Sequence, residues 1–491
     1  MSASWLATPA TKRQRHITYA ALLAIVSALM GIHEAAFGSP IFPVDDAYIT
    51  LHNAIALVRG VDPNYGAAPL VGATSTVHTL LVAAMVKVMP PAWALETSAW
   101  IATGAFVLAT TSLAFDAKAS LPIALAVVVL AVTVGQMPHQ LLNGLETGLA
   151  LALTTLAIGK AYRDELAGKR SVVVPIVCGV LPFVRPELAM LSLALFAARW
   201  YGARERGEPM ARAIGLDVAI AGVSALPFAV VLWRGAGAPF PTTIAAKKYY
   251  FADGCLSWWP KLTNVIGSVI DFIAVLGIFS LAALGMWCSR VGRAGIVFAA
   301  VLFGAYFVER PGALGEYDQR YLYVLLPLLL LGVVTMLARG GRWRSVGWLV
   351  VVGGAFETTE HFRERWTYHL ACRGFTRIEL AGIADFVTAH TTESDAVLIH
   401  DAGYISYATS RHLVDLVGLK TPESVDVHRD LTWRTCGRDR GDAIARIAAQ
   451  SSPSALVTLA TWDDTFAIAQ SLRTHGWTVD LLRPPPPAPE R

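Results

Sequence analysis

Charge is scarce in this sequence. Asp, Glu, Lys and Arg make up 15% of 491 residues, against about 25% in an ordinary soluble domain. The shortage is confined to long apolar runs, and the charges collect between them. Cysteine is scarce as well. Cys178, Cys255, Cys288, Cys372 and Cys436 include no CxxC pair, which argues against a zinc site. No basic cluster is interleaved with aromatics, so a nucleic-acid partner is not expected. No cleavable leader is evident: the apolar run at 17–37 follows Lys12, Arg13 and Arg15 and is too long for a signal h-region. No internal repeats of the kind seen in transporters stand out.

What is abundant is apolar sequence. The hydrophobic fraction is 55% and the mean hydropathy is +0.50. Twelve apolar segments lie near 17–37, 70–89, 94–115, 120–135, 145–161, 171–184, 187–200, 213–233, 262–287, 293–308, 321–338 and 345–357. A spanning helix needs roughly 20 apolar residues, so the fold class expected is an α-helical polytopic membrane protein with a small C-terminal α/β domain. Basic loops are cytoplasmic by the positive-inside rule. They are marked by Arg163, Lys169 and Arg170, by Arg199, Arg204, Arg206 and Arg212, by Arg290 and Arg293, and by Arg339, Arg342 and Arg344. Threading on these loops leaves about eleven crossings. The run 70–89, with Thr74, Ser75, Thr76 and His78 before Pro90-Pro91, is the one expected not to cross fully.

The expected organisation is a cytoplasmic N-terminus at 1–16, a transmembrane module at 17–357 with an external loop at 38–69, an extracytoplasmic α/β domain at 358–483 and a disordered, proline-rich tail at 484–491. In the tail domain, 376–390 reads as an amphipathic helix with Thr376 and Glu379 at capping-box spacing. Strands are expected at 396–399, 455–460 and 477–482, with helices at 441–450 and 463–475. Cys372 and Cys436 both fall in this domain, where a disulfide between them is one option.

Polar residues gather on the loops assigned to the outer face. Asp45 and Asp46 follow Pro43 directly after the first apolar run. Leu51, Ala54, Ile55 and Val58 recur at helical spacing, so a helix begins near Asp46. One carboxylate can cap that helix and leave the other free as a base or ligand; alternatively both are first-turn charges favoured by the dipole. Glu146 opens the segment at 145. Arg185-Pro186-Glu187 turns a 30-residue stretch too short to cross twice, so its charges sit below the outer surface and line a cavity or pair together. Lys247 and Lys248 lie near the outer headgroups, where they can snorkel or bind a phosphate. Tyr317 and Arg320 enter the segment at 321, with Asp318 and Glu316 as alternative ion partners for Arg320.

Taken in order, Asp45-Asp46-Ala47-Tyr48-Ile49, Gly60, Tyr65, Gly144-Leu145-Glu146-Thr147, Arg185-Pro186-Glu187, Pro241-Thr242-Thr243 with Ala246-Lys247, and Arg320-Tyr321 resemble the pattern of GT-C glycosyltransferases. They look most like the terminal arabinofuranosyltransferases of bacterial cell-wall assembly and their relatives. In the tail, Asp401-Ala402-Gly403-Tyr404 and Asp415-Leu416-Val417-Gly418-Leu419 also resemble such proteins. The resemblance implies a bacterial cytoplasmic-membrane enzyme that takes a polyprenyl-phosphate sugar as donor and a glycan or glycoprotein as acceptor, among membrane lipids. It implies Asp45 and Asp46 as the catalytic pair, with Asp45 matching the first carboxylate. Arg185, Lys247, Lys248 and Arg320 would hold the donor phosphate, and Tyr48, Glu146, Glu187 and Tyr317 would orient substrate. No cofactor is implied, although an acidic pair can hold a divalent cation. The stretch 72–76, which lacks an expected aromatic, and the second lysine, Lys248, depart from the pattern and leave the sugar open. A flippase of lipid-linked saccharides, a non-catalytic scaffold and a polysaccharide ligase are the competing expectations.

Overall fold

The computed structural model describes residues 8–339 and 341–480. Among them, five helices are long and apolar enough to cross a membrane: α1 (Lys12–Phe37), α4 (Pro91–Asp116), α10 (Met210–Ala236), the stretch Trp258–Met286, and Arg290–Glu309. Pro311–Gln319 and Tyr323–Arg339 form a pair bent by 80° that would make a sixth. Between these lie α2 (Asp45–Arg59), α3 (Thr76–Val86), α5 (Leu121–Thr133), α6 (Met137–Leu142), α7 (Thr147–Ala167), α8 (Val173–Val184), α9 (Leu188–Glu205) and α11 (Thr243–Phe251). The run expected not to cross fully is α3, only 11 residues or about 16 Å long.

Burial sorts the helices. α4 is largely covered and packs along α7 through small residues: a Cβ on Gly148 would touch Ala102, and one on Gly159 would touch Leu113. Close approach through glycine and alanine is how helices associate where burial from water provides no drive. α1 and α10 do the opposite. Ile17, Ile25, Leu29 and Ile32 on α1, and Val218, Val223 and Leu226 on α10, face outward. Contiguous apolar faces of this size suit a lipid environment rather than water. α8 and α9 meet at the Arg185 turn, and the Arg185 side chain is fully buried.

The final apolar segment does not stop at 357. Gly341–Phe375 is one 35-residue helix, about 52 Å long, so the boundary expected at 357/358 lies inside a helix. Position 376 is not a helix start either. The chain continues through Thr376–Leu380 into Ala381–His390 without a side-chain cap; the Thr376 hydroxyl donates back to the Cys372 carbonyl at 3.5 Å. No proline or glycine interrupts 375–380, so nothing breaks the helix where the capping pattern suggested a beginning.

The C-terminal region holds a small parallel sheet of β1 (Ala396–Ile399), β2 (His412–Asp415) and β3 (Ala455–Val457), in the order β2-β1-β3. β2 has no expected counterpart. The helix expected at 441–450 is Arg440–Ser451, and that at 463–475 is split at Ala467, whose φ is +50°. Trp477 to Asp480 is not strand; the rest of that expectation and the 484–491 tail lie outside the described residues. All five cysteines are free, so the Cys372–Cys436 bond is absent. Cys372 belongs to the long helix, whereas Cys436 lies beside Cys255: the Trp433 carbonyl accepts from Cys255 Sγ at 3.5 Å and from the Cys436 amide at 3.1 Å.

This region is fastened to the helical part by buried polar contacts. Lys420 Nζ meets Asp62 Oδ2 at 2.7 Å, with neither side chain exposed, and donates to Asn53 and to the Val71 carbonyl. Asn64 donates to the Thr409 and Arg411 carbonyls at 2.9 and 3.0 Å. Its own carbonyl accepts from the Leu413 amide at 2.8 Å, extending the edge of β2.

Candidate functional site

The site is built from the ends of several helices. α2 begins at Asp45 with Val44 as its cap residue and no side-chain cap, so neither aspartate spends its oxygens on the helix. They diverge instead. Both Asp45 oxygens accept amides of the C-terminal region, Gly403 at 2.9 Å and Tyr404 at 2.7 Å. A Cβ at Gly403 would lie 2.0 Å from the Asp45 carbonyl oxygen, so only glycine permits this approach. Burial and the neighbouring Asp401 carboxylate push the Asp45 carboxyl up to about 8.

Asp46, one residue on, faces cations. Its Oδ2 lies 3.3 Å from an Arg320 nitrogen and 3.8 Å from Lys247 Nζ, and the Tyr317 hydroxyl is a further partner. Burial alone would raise its carboxyl; the Lys247 and Arg320 charges outweigh burial and hold it below the usual range. Arg320 is buried, with its Nε lacking an acceptor. Its guanidinium lies over the Tyr317 and Tyr321 rings at 4.6 and 4.9 Å.

Arg185 supports Arg320 from behind. It donates to Glu187 at 2.7 Å and to the Arg320 carbonyl at 3.3 Å, lies 3.7 Å from Glu146, and also lies over the Tyr321 ring at 4.8 Å. Glu146 is brought in by the turn Asn143-Gly144-Leu145. Asn143 Oδ1 accepts the Leu145 amide at 2.9 Å. Gly144, at φ +79°, allows the turn to close on Phe42, where a Cβ would meet the ring at 2.6 Å.

Asp46, Thr74, Glu146, Thr243, Lys247 and Arg320 line one crevice, whose tight inner space is about 30 Å³ and whose open volume is about 390 Å³. The inner space holds roughly one water, and the remainder opens outward. The Thr74 and Thr243 hydroxyls are 3.1 Å apart across it. Leu419 of the C-terminal region completes the wall.

Three expected residues lie elsewhere. Lys248 pairs with Glu309 at 2.7 Å and sits over Trp433 at 5.0 Å, because consecutive helical residues point about 100° apart. Tyr48 is buried among Phe42, Tyr404 and Tyr407, outside the crevice, and its hydroxyl accepts the Phe42 amide at 3.0 Å. Asp45 likewise lies outside the crevice, with both oxygens on amides of the C-terminal region.

Sequence reasoning missed the device that presents Tyr317 and Arg320. Tyr317, Asp318 and Gln319 are successive non-glycine residues with φ of +47°, +55° and +59°, a conformation costing about 1–2 kcal/mol per residue. Gln140 Nε2 donates to both the Tyr317 and Asp318 carbonyls, at 3.1 and 3.2 Å. The Tyr368 hydroxyl donates to Asp318 at 3.0 Å, and His139 lies 3.5 Å from the same carboxylate. Nothing local in the sequence advertises such a turn. Among the described residues no group of three or more His, Cys, Asp or Glu is arranged to hold a metal.

The fold thus defines a helical protein whose long apolar helices suit a multi-pass place in a membrane. Residues 368–482 match a family model described as a domain of unknown function, DUF8728. That match includes Gly403 and Lys420, which dock the sheet region onto α2 and the loop after it. No curated protein matches the chain.

Proposed function

We propose that this chain is a membrane glycosyltransferase of the GT-C kind, with about eleven crossings. In this proposal the N-terminus is cytoplasmic and the site faces the exterior of a bacterial cytoplasmic membrane. It would move a sugar, arabinofuranose being one candidate, from a polyprenyl-phosphate donor to a hydroxyl of a glycan or glycoprotein. One observation carries this reading: a carboxylate, Asp46, and two cations, Lys247 and Arg320, converge within 4 Å from segments far apart in the sequence.

Without donor, the cations are occupied by Asp46 and hold it weakly basic. A donor phosphate competes for Lys247 and Arg320. As they turn to the phosphate, the Asp46 carboxyl rises toward the burial-dominated value and becomes a better base. The acceptor hydroxyl gives its proton to Asp46 while its oxygen attacks the anomeric carbon. The bond from that carbon to the phosphate oxygen breaks, and its electron pair leaves on polyprenyl phosphate. Lys247 and Arg320 stabilise the charge gathering there. Arg185, neutralised by Glu146 and Glu187, is a positioning residue for Arg320. Glu146 and Tyr317 border the acceptor side.

Membranes of cells lacking the protein, extracted for lipid, test the reading. Accumulation of a polyprenyl-phosphate sugar, reversed by the wild-type chain and not by Asp46→Asn, is expected. An unchanged lipid pool, or full rescue by Asp46→Asn, contradicts it.

A further inference from the structure

A cavity lies at the opposite end of the helices from the Asp46 crevice. It has a volume of about 860 Å³ and sits where the start of α1, the α4–α5 turn, the end of α7 and the 334–348 hairpin come together. α1 alone separates the two ends by 26 residues, about 39 Å. Four cations line the cavity: Arg15, Lys118, Arg163 and Arg344. Arg15 and Arg344 are each steadied through Nε, by the Ala10 and Leu337 carbonyls at 3.2 Å. The lining carboxylate, Asp116, lies 3.5 Å from Lys160.

The N-terminus of α5 opens into the same space. Ser120 precedes it, 2% exposed, and its hydroxyl neither caps the helix nor finds any other partner. The first-turn amides of Leu121 and Ile123 have no intrahelical acceptor; Pro122 has no N–H to offer. A helix N-terminus, an unspent hydroxyl and surrounding cations form an anion site. Phe115, Ile123, Val334 and Leu337 make the other walls apolar.

We propose that this cavity binds a phosphate group, with its oxygens on Ser120 and the α5 N-terminus and its charge balanced by Arg15, Lys118, Arg163 and Arg344. The apolar walls favour the phosphate of an anionic phospholipid; inorganic phosphate is the soluble source of the same chemistry. The site is independent of the transferase reading and would stand without it.

The test uses the full chain, purified and stripped of lipid in detergent. Native mass spectrometry is run with phosphatidylglycerol, with phosphatidylcholine and with inorganic phosphate. Phosphatidylglycerol is expected to be retained over phosphatidylcholine. Reversing two exposed cations, Arg163→Glu with Arg344→Glu, should lower that retention about 25-fold or more, from about 5-fold per cation near a charged headgroup. Ser120→Ala, which leaves the surface charge untouched, should lower it as well. Competition by millimolar inorganic phosphate assigns the site to the soluble source. Equal retention of the two lipids without phosphate competition, or retention unchanged in variants that melt like wild type, overturns the proposal.

Discussion

Asp45 accepts the Gly403 amide at 2.9 Å across 358 residues of sequence, while Asp46 beside it faces Lys247 and Arg320. One helix start therefore serves two tasks: the first carboxylate docks the C-terminal region and the second belongs to the crevice.

The division separates the two asparagine variants. Asp46→Asn should lower sugar transfer at least about 100-fold, the usual scale for losing a general base. Asp45→Asn should act chiefly on stability, because its amide nitrogen would oppose one of the two backbone donors. Transfer assays and thermal melts of both purified variants check this. Equal losses of transfer at unchanged stability would contradict the split.

Asp45 also sets a pH dependence. Its carboxyl is raised to about 8, first by burial and then by Asp401, and burial raises Asp415 to about 6. For both, the folded state holds the proton more tightly than the unfolded chain does. Their contribution is fully present below about pH 4 and is lost as pH rises through 6 and then 8. Asp46, held low by Lys247 and Arg320, has the opposite sign and loses its contribution only in acid. Docking of the C-terminal region should thus weaken from pH 5 to 8, read as faster limited proteolysis, and Asp45→Asn should flatten that trend.

Lys420 and Asp62 are the most buried ion pair at the junction. Lys420→Met takes its lysine partner from the buried Asp62 and should cost about 3–5 kcal/mol. Replacing both, as Lys420→Met with Asp62→Leu, should recover most of that loss. Thermal melts of the three variants measure it; a single variant no less stable than wild type would contradict the buried pair.

The two lysines should behave unequally. Lys247→Ala should raise the KM for the lipid donor strongly. Lys248→Ala removes a partly exposed pair with Glu309 and should change stability by at most about 1 kcal/mol, with transfer near normal.

Gln140→Ala should relax the left-handed turn at Tyr317 to Gln319. Both hydrogen bonds to the turn are lost, at about 1 kcal/mol each, together with the one accepted from Asn143 at 3.4 Å, and Arg320 loses its fixed position. Transfer should fall while donor added at high concentration restores part of it, because the cation is displaced rather than removed.

Much of the helical framework was legible because an apolar run of 20 residues has few soluble alternatives. The Asp45-Asp46 pair, Glu146, Arg185, Lys247 and Arg320 were legible as polar residues bordering apolar segments, and five of these six meet in or directly behind the crevice. Which aspartate faces the cations was not legible, since it depends on Gly403 and Tyr404 far along the chain. The same holds for Lys420, whose partners Asp62 and Asn53 lie more than 350 residues away. β2 is four residues with an exposed histidine at its start, too short to carry an alternating pattern. Hydropathy falls near 358, but the helix there, without a proline, runs on to Phe375.

The most direct test of the Asp46 crevice as a donor site is a structure of the full chain in lipid nanodiscs with polyprenyl phosphate added. The phosphate is expected between Lys247 and Arg320, with Asp46 released from both. Phosphate density away from these residues, with the Asp46 ion pairs intact, would contradict it.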